Sequence, residues 1–342
     1  MSVVIYDPTA ADAVSAARGI GRYMQLLKEN LPDATFTGTL DHVSKNDTFL
    51  MPFLNFTQPP FVTKRLAKKQ VAIIHDLIRL KYLSDFPIGL RGKLNVFRMK
   101  QTLKLYDIIV TDSEASKADI VKILNVPASK IRIVYPCLPS SLYTLGKQPA
   151  LRAPLLKEGK LPDKDTPYFI YVGDATANKN LVRTARSVQA ANATCVFVGK
   201  VFVQSGHSGN PWNKELNEFM ELVRENERFV FPGFVPDEEL VSLYKNAVAN
   251  ILLSHDEGFG FSFLEAANCK TPSLLADAPI FHETAVDAAL FANPTNIEEI
   301  ATTMKLLLSE KKLRNELAAK AFERSKFFSA EKFKKEWEEA LS

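Results

Sequence analysis

Short apolar runs alternate with longer segments of helical period along almost the whole chain, and that rhythm constrains the fold more than any other feature. Val3–Tyr6, Phe49–Met51, Val71–Ile74, Ile108–Thr111 and Ile131–Val134 are such runs in the first half. Tyr168–Val172, Thr194–Val198, Phe229–Phe231, Asn250–Leu253 and Pro272–Leu275 follow in the second. Apolar residues recur at helical spacing between them, in Ile20–Asn30, Ala115–Leu124, Leu181–Ala190, Glu215–Glu225, Asp237–Asn246 and Ile297–Leu308. Runs that are apolar at nearly every position predict strands buried on both faces. Their alternation with helices predicts an α/β fold of parallel sheets covered on both sides.

A chain of 342 residues exceeds the ~250–300 residues at which a single core stops growing, so two domains are expected. The rhythm pauses across Pro149, Pro154, Gly159, Pro162 and Pro167. The expected division is a Rossmann-like domain over 1–150, a linker over 151–165 and a second Rossmann-like domain over 166–327. The remainder, about 328–342, carries Phe333, Trp337 and Leu341 at helical spacing.

Each apolar run ends at a small or polar group: His75-Asp76, Thr111-Asp112-Ser113, Gly173-Asp174, Gly199-Lys200, Ser254-His255, Asp277. Ligands of open parallel sheets bind outside the carboxyl ends of the strands. Two such sheets facing one another would gather these groups along one inter-domain cleft. The richest of these ends is Glu257-Gly-Phe-Gly-Phe-Ser-Phe-Leu-Glu265, a tight turn between a strand and a helix with a carboxylate at either end. Gly258 and Gly260 allow close backbone approach to a ligand. The amides around Phe259 and the new helix start suit an anion, and the carboxylates accept from hydroxyls. Phosphate and hydroxyls together describe a nucleotide sugar, among other ligands. Ser262-x-x-Glu265 also matches a capping box, in which Glu265 would only reach back to the Ser262 amide.

Lys179 stands at a helix start, where the dipole disfavours a cation; a bound phosphate would account for it. Asn180 beside it is an N-cap candidate. Gly19-Ile-Gly21 is expected to form a Gly-rich turn that precedes a helix, and it lacks the spacing of a dinucleotide fingerprint. His75, at a strand end, could bond a sugar hydroxyl or exchange a proton near neutrality. No cluster has metal-ligand spacing, and Cys137, Cys195 and Cys269 are far apart and expected to be reduced. A net charge of +4 is too small to argue for nucleic acid. No apolar run approaches the ~20 residues of a membrane span, and the N-terminus lacks a signal-peptide pattern. A cytoplasmic protein is therefore expected. Lys64, Arg65, Lys68 and Lys69 form one basic segment, and Arg91, Lys93, Arg98, Lys100 and Lys104 are interleaved with Leu90, Leu94, Phe97, Met99 and Leu103. That pattern suits either a solvated helix face or peripheral attachment to the inner face of a membrane.

Together these pieces resemble the retaining glycosyltransferases of family 4, which have the GT-B fold. The resemblance rests on Glu257…Glu265, on Lys179-Asn180, and on Gly19-Ile-Gly21-Arg22-Tyr23. The segments HDLIRL, TDSEASKADI, SKIRIVYP, GFVPDEELVSLY and EAANCKTPSLLAD stand in family order. The resemblance implies two Rossmann-like domains facing across a cleft, the first on the acceptor side, with a C-terminal helix that crosses back to it. It implies a nucleoside diphosphate sugar as donor, with GDP or UDP as the expected carrier, a saccharide or lipid-linked acceptor, and no cofactor or metal.

Glu265 would hold the ribose, and Glu257 and His75 the donor sugar. Gly258, Phe259 and Gly260 would offer amides to sugar and phosphate, with Gly173 and Asn180 close by. Lys179 would neutralise the departing diphosphate, and Gly19 and Gly21 would border it. Asp174 stands where family members commonly carry arginine, leaving Arg183 or Lys200 to supply that contact. Lys270 and Cys137 stand where glycine is usual. A sugar-nucleotide epimerase or phosphorylase on the same fold, or a non-catalytic nucleotide-sugar-binding protein, would share most of these residues.

Overall fold

The computed structural model describes residues 2–9, 19–148, 166–204 and 211–342. The expected linker, 151–165, lies outside them. The chain divides into two compact units: Met1–Leu83 with Pro87–Pro139 and Phe328–Ser342, and Ser84–Phe86 with Ser140–Phe327.

In the first unit β1 (Val3–Tyr6) leads to α1 (Gly19–Asn30), then β2 (Thr35–Thr37), β3 (Thr48–Met51) and β4 (Lys69–Ile73). The short α2 (Ile78–Lys81) and α3 (Gly89–Thr102) follow, then β5 (Ile108–Thr111), α4 (Glu114–Leu124) and β6 (Ile131–Ile133). The sheet order is β2-β1-β3-β4-β5-β6, parallel throughout. Central residues such as Phe49, Val71, Ala72, Ile73 and Ile109 are fully buried, as continuous apolar runs require. Ser113 caps α4, its hydroxyl accepting from the Ser116 amide at 3.0 Å, and Asn125 ends it in the left-handed region at φ 57°.

The second unit begins with α5 (Ser140–Lys147), which corrects the expected boundary at 150. The Asn268 amide donates to Leu142 O at 3.0 Å and Lys245 Nζ to Leu145 O at 3.1 Å. A Cβ at Gly146 would lie 1.9 Å from Asn268 Nδ2. The helix is thus bound into the second unit by side chains that a proline-rich linker has no need of.

The unit continues with β7 (Tyr168–Val172), α6 (Leu181–Ala190), β8 (Thr194–Val198), α7 (Lys214–Val223), β9 (Phe229–Gly233), α8 (Asp237–Asn246), β10 (Ala249–Leu252), α9 (Phe261–Asn268) and β11 (Ser273–Ala276). It ends with α10 (Pro279–Ala285), β12 (Leu290–Ala292), α11 (Ile297–Ser309) and α12 (Lys311–Ser325). Its sheet is again parallel and six-stranded, ordered β12-β11-β10-β7-β8-β9. Strands β7 and β10 are therefore neighbours, and their carboxyl ends emerge side by side. The last helix, α13 (Ala330–Leu341), belongs to the first unit, where Phe333 and Trp337 are fully buried. The Phe333 ring meets Tyr23 of α1 edge-on at 5.9 Å.

Lys270 and Val286 are residues other than glycine that lie at positive φ just past helix ends. Lys270 lies at φ 56° just past α9. The Thr271 amide bonds Ala266 O at 2.9 Å and the Lys270 amide bonds Ala267 O at 3.1 Å. This is the Schellman arrangement in which glycine is preferred. Val286, at the end of α10, has φ 56° and ψ −103°. A β-branched residue there is strained, by roughly 1–3 kcal/mol, whereas glycine loses only ~0.5–1 kcal/mol more chain entropy. Val286→Gly is expected to raise the unfolding free energy by about 1 kcal/mol. A melting temperature that stays level or falls would rule out a left-handed residue at this position.

Candidate active site

The site in the second unit is built where β7 and β10 end. The chain leaves β7 through Gly173, whose amide is bonded to Val198 O at 3.1 Å. A Cβ at Gly173 would lie 3.1 Å from the Tyr171 hydroxyl. One turn of 3₁₀ helix, Ala177–Lys179, then carries the chain to α6. Buried asparagines bracket Lys179. Asn178 donates to Asp256 O at 3.0 Å and accepts the His255 amide on its own carbonyl at 2.8 Å. Asn180 donates to Leu253 O at 3.1 Å and to Pro294 O at 2.7 Å. The backbone on either side of Lys179 is thereby clamped to the chain leaving β10.

That clamp sets Lys179 Nζ 2.7 and 2.9 Å from the two carboxylate oxygens of Glu257. The Ser254 hydroxyl donates to Glu257 Oε1 at 2.6 Å, so the carboxylate is held from two sides. Burial pushes the Glu257 carboxyl up, and the Lys179 ammonium and Ser254 hydroxyl only partly pull it back. The exposed Asp174, in the family's arginine position, lies 3.9 Å from Lys179 Nζ. It also accepts from the Thr176 hydroxyl at 3.0 Å. Of the basic residues that could replace that arginine, Arg183 donates to Asn180 Oδ1 at 3.3 Å and Lys200 lies over the Phe234 ring at 4.8 Å.

Asn180 occupies the N-cap position of α6 at φ 58° but makes no side-chain cap there. Its side chain, fully buried and bonded inward, is a brace; the expected direct contact with a ligand does not fit that burial. Glu215 of α7 stands at the α6 start instead, within 3.5 Å of the Val182 amide. Burial pushes the Glu215 carboxyl up to about 7 against the pull of the Val182 and Leu181 amides and Arg183. A carboxyl raised on folding favours the folded state most below the ordinary Glu range, and that contribution is lost as pH rises through about 7. Glu215→Gln is therefore expected to match the parent's melting temperature near pH 5 and exceed it near pH 8. Equal melting curves at both pH values would contradict this.

Past Glu257 the turn ends at Gly260, whose φ of 90° and ψ of 54° place it in the left-handed region as the N-cap of α9. This is the position at which the sequence needs a glycine. The Phe259 side chain is buried against Phe261 at 5.4 Å, so only its backbone is available to a ligand. The capping-box alternative fails because Ser262 and Glu265 both lie inside α9. Glu265, buried, instead accepts from the Tyr244 hydroxyl at 2.8 Å. The roles of Asn178, Ser254 and Tyr244 were not legible in the sequence. The sequence marks Ser254 as a polar group at a strand's carboxyl end, but not its bond to Glu257. A cavity of about 850 Å³ between α7 and the edge strand β9 is lined by Met220, Phe229 and Phe231 and by none of these residues.

In the first unit His75 follows β4. Its Nδ1 is 2.7 Å from Asp112 Oδ2 and its Nε2 3.1 Å from Pro52 O. Burial pulls the imidazole down, but the charge and hydrogen bond of Asp112 outweigh it, and the net direction is up. With acceptors at both nitrogens, the doubly protonated ring is favoured. The expected ring-nitrogen contact with a sugar would thus require giving up one of these bonds. Gly19 and Gly21 fall within α1 rather than in a loop before it, a second correction. Among the described residues, a Cβ at Gly19 would meet nothing within 4 Å.

Two parallel six-stranded sheets in separate units are the architecture of the GT-B fold, and the candidate site lies at adjoining strand ends of the second. The family model described as Glycosyl transferases group 1 matches residues 154–324, half of the chain. The chain belongs to that family. It is 28% identical over 276 residues to O-antigen chain mannosyltransferase B of Escherichia coli, covering 80% of this chain and 70% of that protein. Over 240 residues it is 25% identical to O-antigen chain mannosyltransferase RfbU of Salmonella typhimurium, covering 70% of this chain and 61% of that one. In fold it matches a UDP-forming alpha,alpha-trehalose-phosphate synthase from Burkholderia vietnamiensis, with a TM-score of 0.70 at 10% identity, over 100% of this chain and 99% of that one.

Proposed function

We propose that this glycosyltransferase moves mannose, or a related hexose or deoxyhexose, from a nucleoside diphosphate to a saccharide or lipid-linked acceptor with retention of anomeric configuration. The contact between Lys179 and Glu257, braced by two buried asparagines, carries this reading. The names of the mannosyltransferase relatives favour the sugar and support a part in O-antigen-type polysaccharide assembly. The bond from the anomeric carbon to the diphosphate oxygen breaks, and its electron pair leaves with the diphosphate. The acceptor oxygen bonds the same carbon, and its proton passes to the departing diphosphate oxygen. Lys179, shared between Glu257 and the diphosphate, meets the charge as it develops. The α9 start and the amides around Gly258 and Gly260 face the same charge, so the reading requires no metal. Glu257 holds the sugar and Glu265 the ribose.

Thermal shifts with UDP-, GDP-, ADP- and TDP-linked sugars select the donor, GDP or UDP being expected. NMR of the product with that donor and an oligosaccharide acceptor then reads the anomeric configuration. An inverted linkage would refute retention. Conversion of the donor without acceptor would make the protein an epimerase, and binding without turnover would make it a carrier.

A further inference from the structure

Helix α3 turns an apolar ridge outward. Gly92 and Met99 are buried, and the Asn95 amide between them donates to Thr57 O at 3.0 Å. That face packs on the first unit. Leu90, Leu94 and Phe97 lie on the opposite face and are 85%, 48% and 60% exposed. At 3.6 residues per turn these three form a single stripe. Arg91 and Arg98, both exposed, flank it on one side and the exposed Lys93 on the other. The sequence carries no acidic residue from Pro87 to Tyr106. An ordinary surface helix buries its apolar stripe and shows its charges; α3 shows both at once.

We propose that α3 docks the first unit on an anionic lipid surface. Leu90, Leu94 and Phe97 enter the boundary between headgroups and acyl chains, while Arg91, Lys93 and Arg98 meet lipid phosphates. Charge selects this occupant. The basic rim complements an anionic headgroup layer, whereas a second copy presenting the same face would set like charges against one another. No helix among the described residues is long and apolar enough to cross a membrane, so the contact made by α3 is superficial. The proposal does not depend on the reaction assigned to the second unit.

The test is co-sedimentation of the full chain with phosphatidylcholine vesicles, and with vesicles that also contain phosphatidylglycerol. Binding is expected only to the second kind and is expected to fall as salt rises. Leu94→Ser with Phe97→Ser, and separately Arg91→Glu with Arg98→Glu, should each lower the partition coefficient by about tenfold or more. The substituted side chains are exposed, so melting temperatures should not move, and transfer to a water-soluble acceptor should be unchanged. Equal binding to neutral vesicles, no binding to either kind, or indifference to both double variants would overturn the proposal. So would a dimer in sedimentation velocity that the same variants dissolve.

Discussion

Lys179→Met is expected to slow sugar transfer by about 10²–10³-fold, the range seen when a single fixed stabiliser of transition-state charge is removed. Affinity for the nucleoside alone should change by less than about threefold, because the ammonium acts on charge that appears as the diphosphate departs. The same substitution leaves Glu257 buried without its cation. Stability should therefore fall by about 3–5 kcal/mol, the usual cost of breaking a buried pair from one side. Adding Glu257→Gln removes the stranded charge and should restore most of the melting temperature while transfer stays slow. That split separates catalysis from folding. If Lys179→Met transfers sugar at the parent rate, the lysine has only a structural part and the proposed chemistry is lost.

Glu265→Gln should weaken donor binding by about 10–100-fold, the worth of a hydrogen bond to a charged group, while barely moving the melting temperature. Glutamine still offers an oxygen to the Tyr244 hydroxyl, which lies 2.8 Å from the carboxylate. Glu265→Ala removes that acceptor as well, and leaving the tyrosine unpaired should cost a further ~1–3 kcal/mol of stability. Isothermal titration with ribonucleotides and 2′,3′-dideoxyribonucleotides resolves the assignment. The penalty of the glutamine variant should vanish for a nucleotide without the ribose hydroxyls. A penalty of the same size for both nucleotides would take Glu265 away from the ribose.

The interior strands were legible because they are buried on both faces and therefore apolar without interruption. Tyr168–Val172 and Thr194–Val198 match the structure residue for residue. The edge strands Thr35–Thr37 and Leu290–Ala292 were not legible. Three residues are too few to show a period, and these two strands are only partly buried, whereas the equally short edge strand Ile131–Ile133 is marked by the apolar run that continues to Val134. Helix Ser140–Lys147 was hidden by the prolines that follow it, and its reason to fold is the packing supplied by Asn268 and Lys245 from much later in the chain.

At the site, Lys179, Glu257 and the left-handed Gly260 could be read from strand-to-helix transitions, because charge and glycine have few other uses there. The brace could not. Asn178 and Asn180 bond carbonyls 73 to 114 residues away, and no local pattern encodes that separation. The capping box misled for a related reason. Its spacing is correct, but the helix begins at Phe261, so Ser262 is already inside the first turn.

The paired asparagines also bear on how such an enzyme could diversify. They tie Lys179 to the backbone leaving a central strand, so its position inherits the rigidity of the sheet. Peripheral loops of the second unit could then be exchanged to accept a different hexose while the charged pair keeps its place. The same anchoring makes Asn178 and Asn180 poor targets for directed evolution: a change at either would move the lysine before it altered which sugar is chosen.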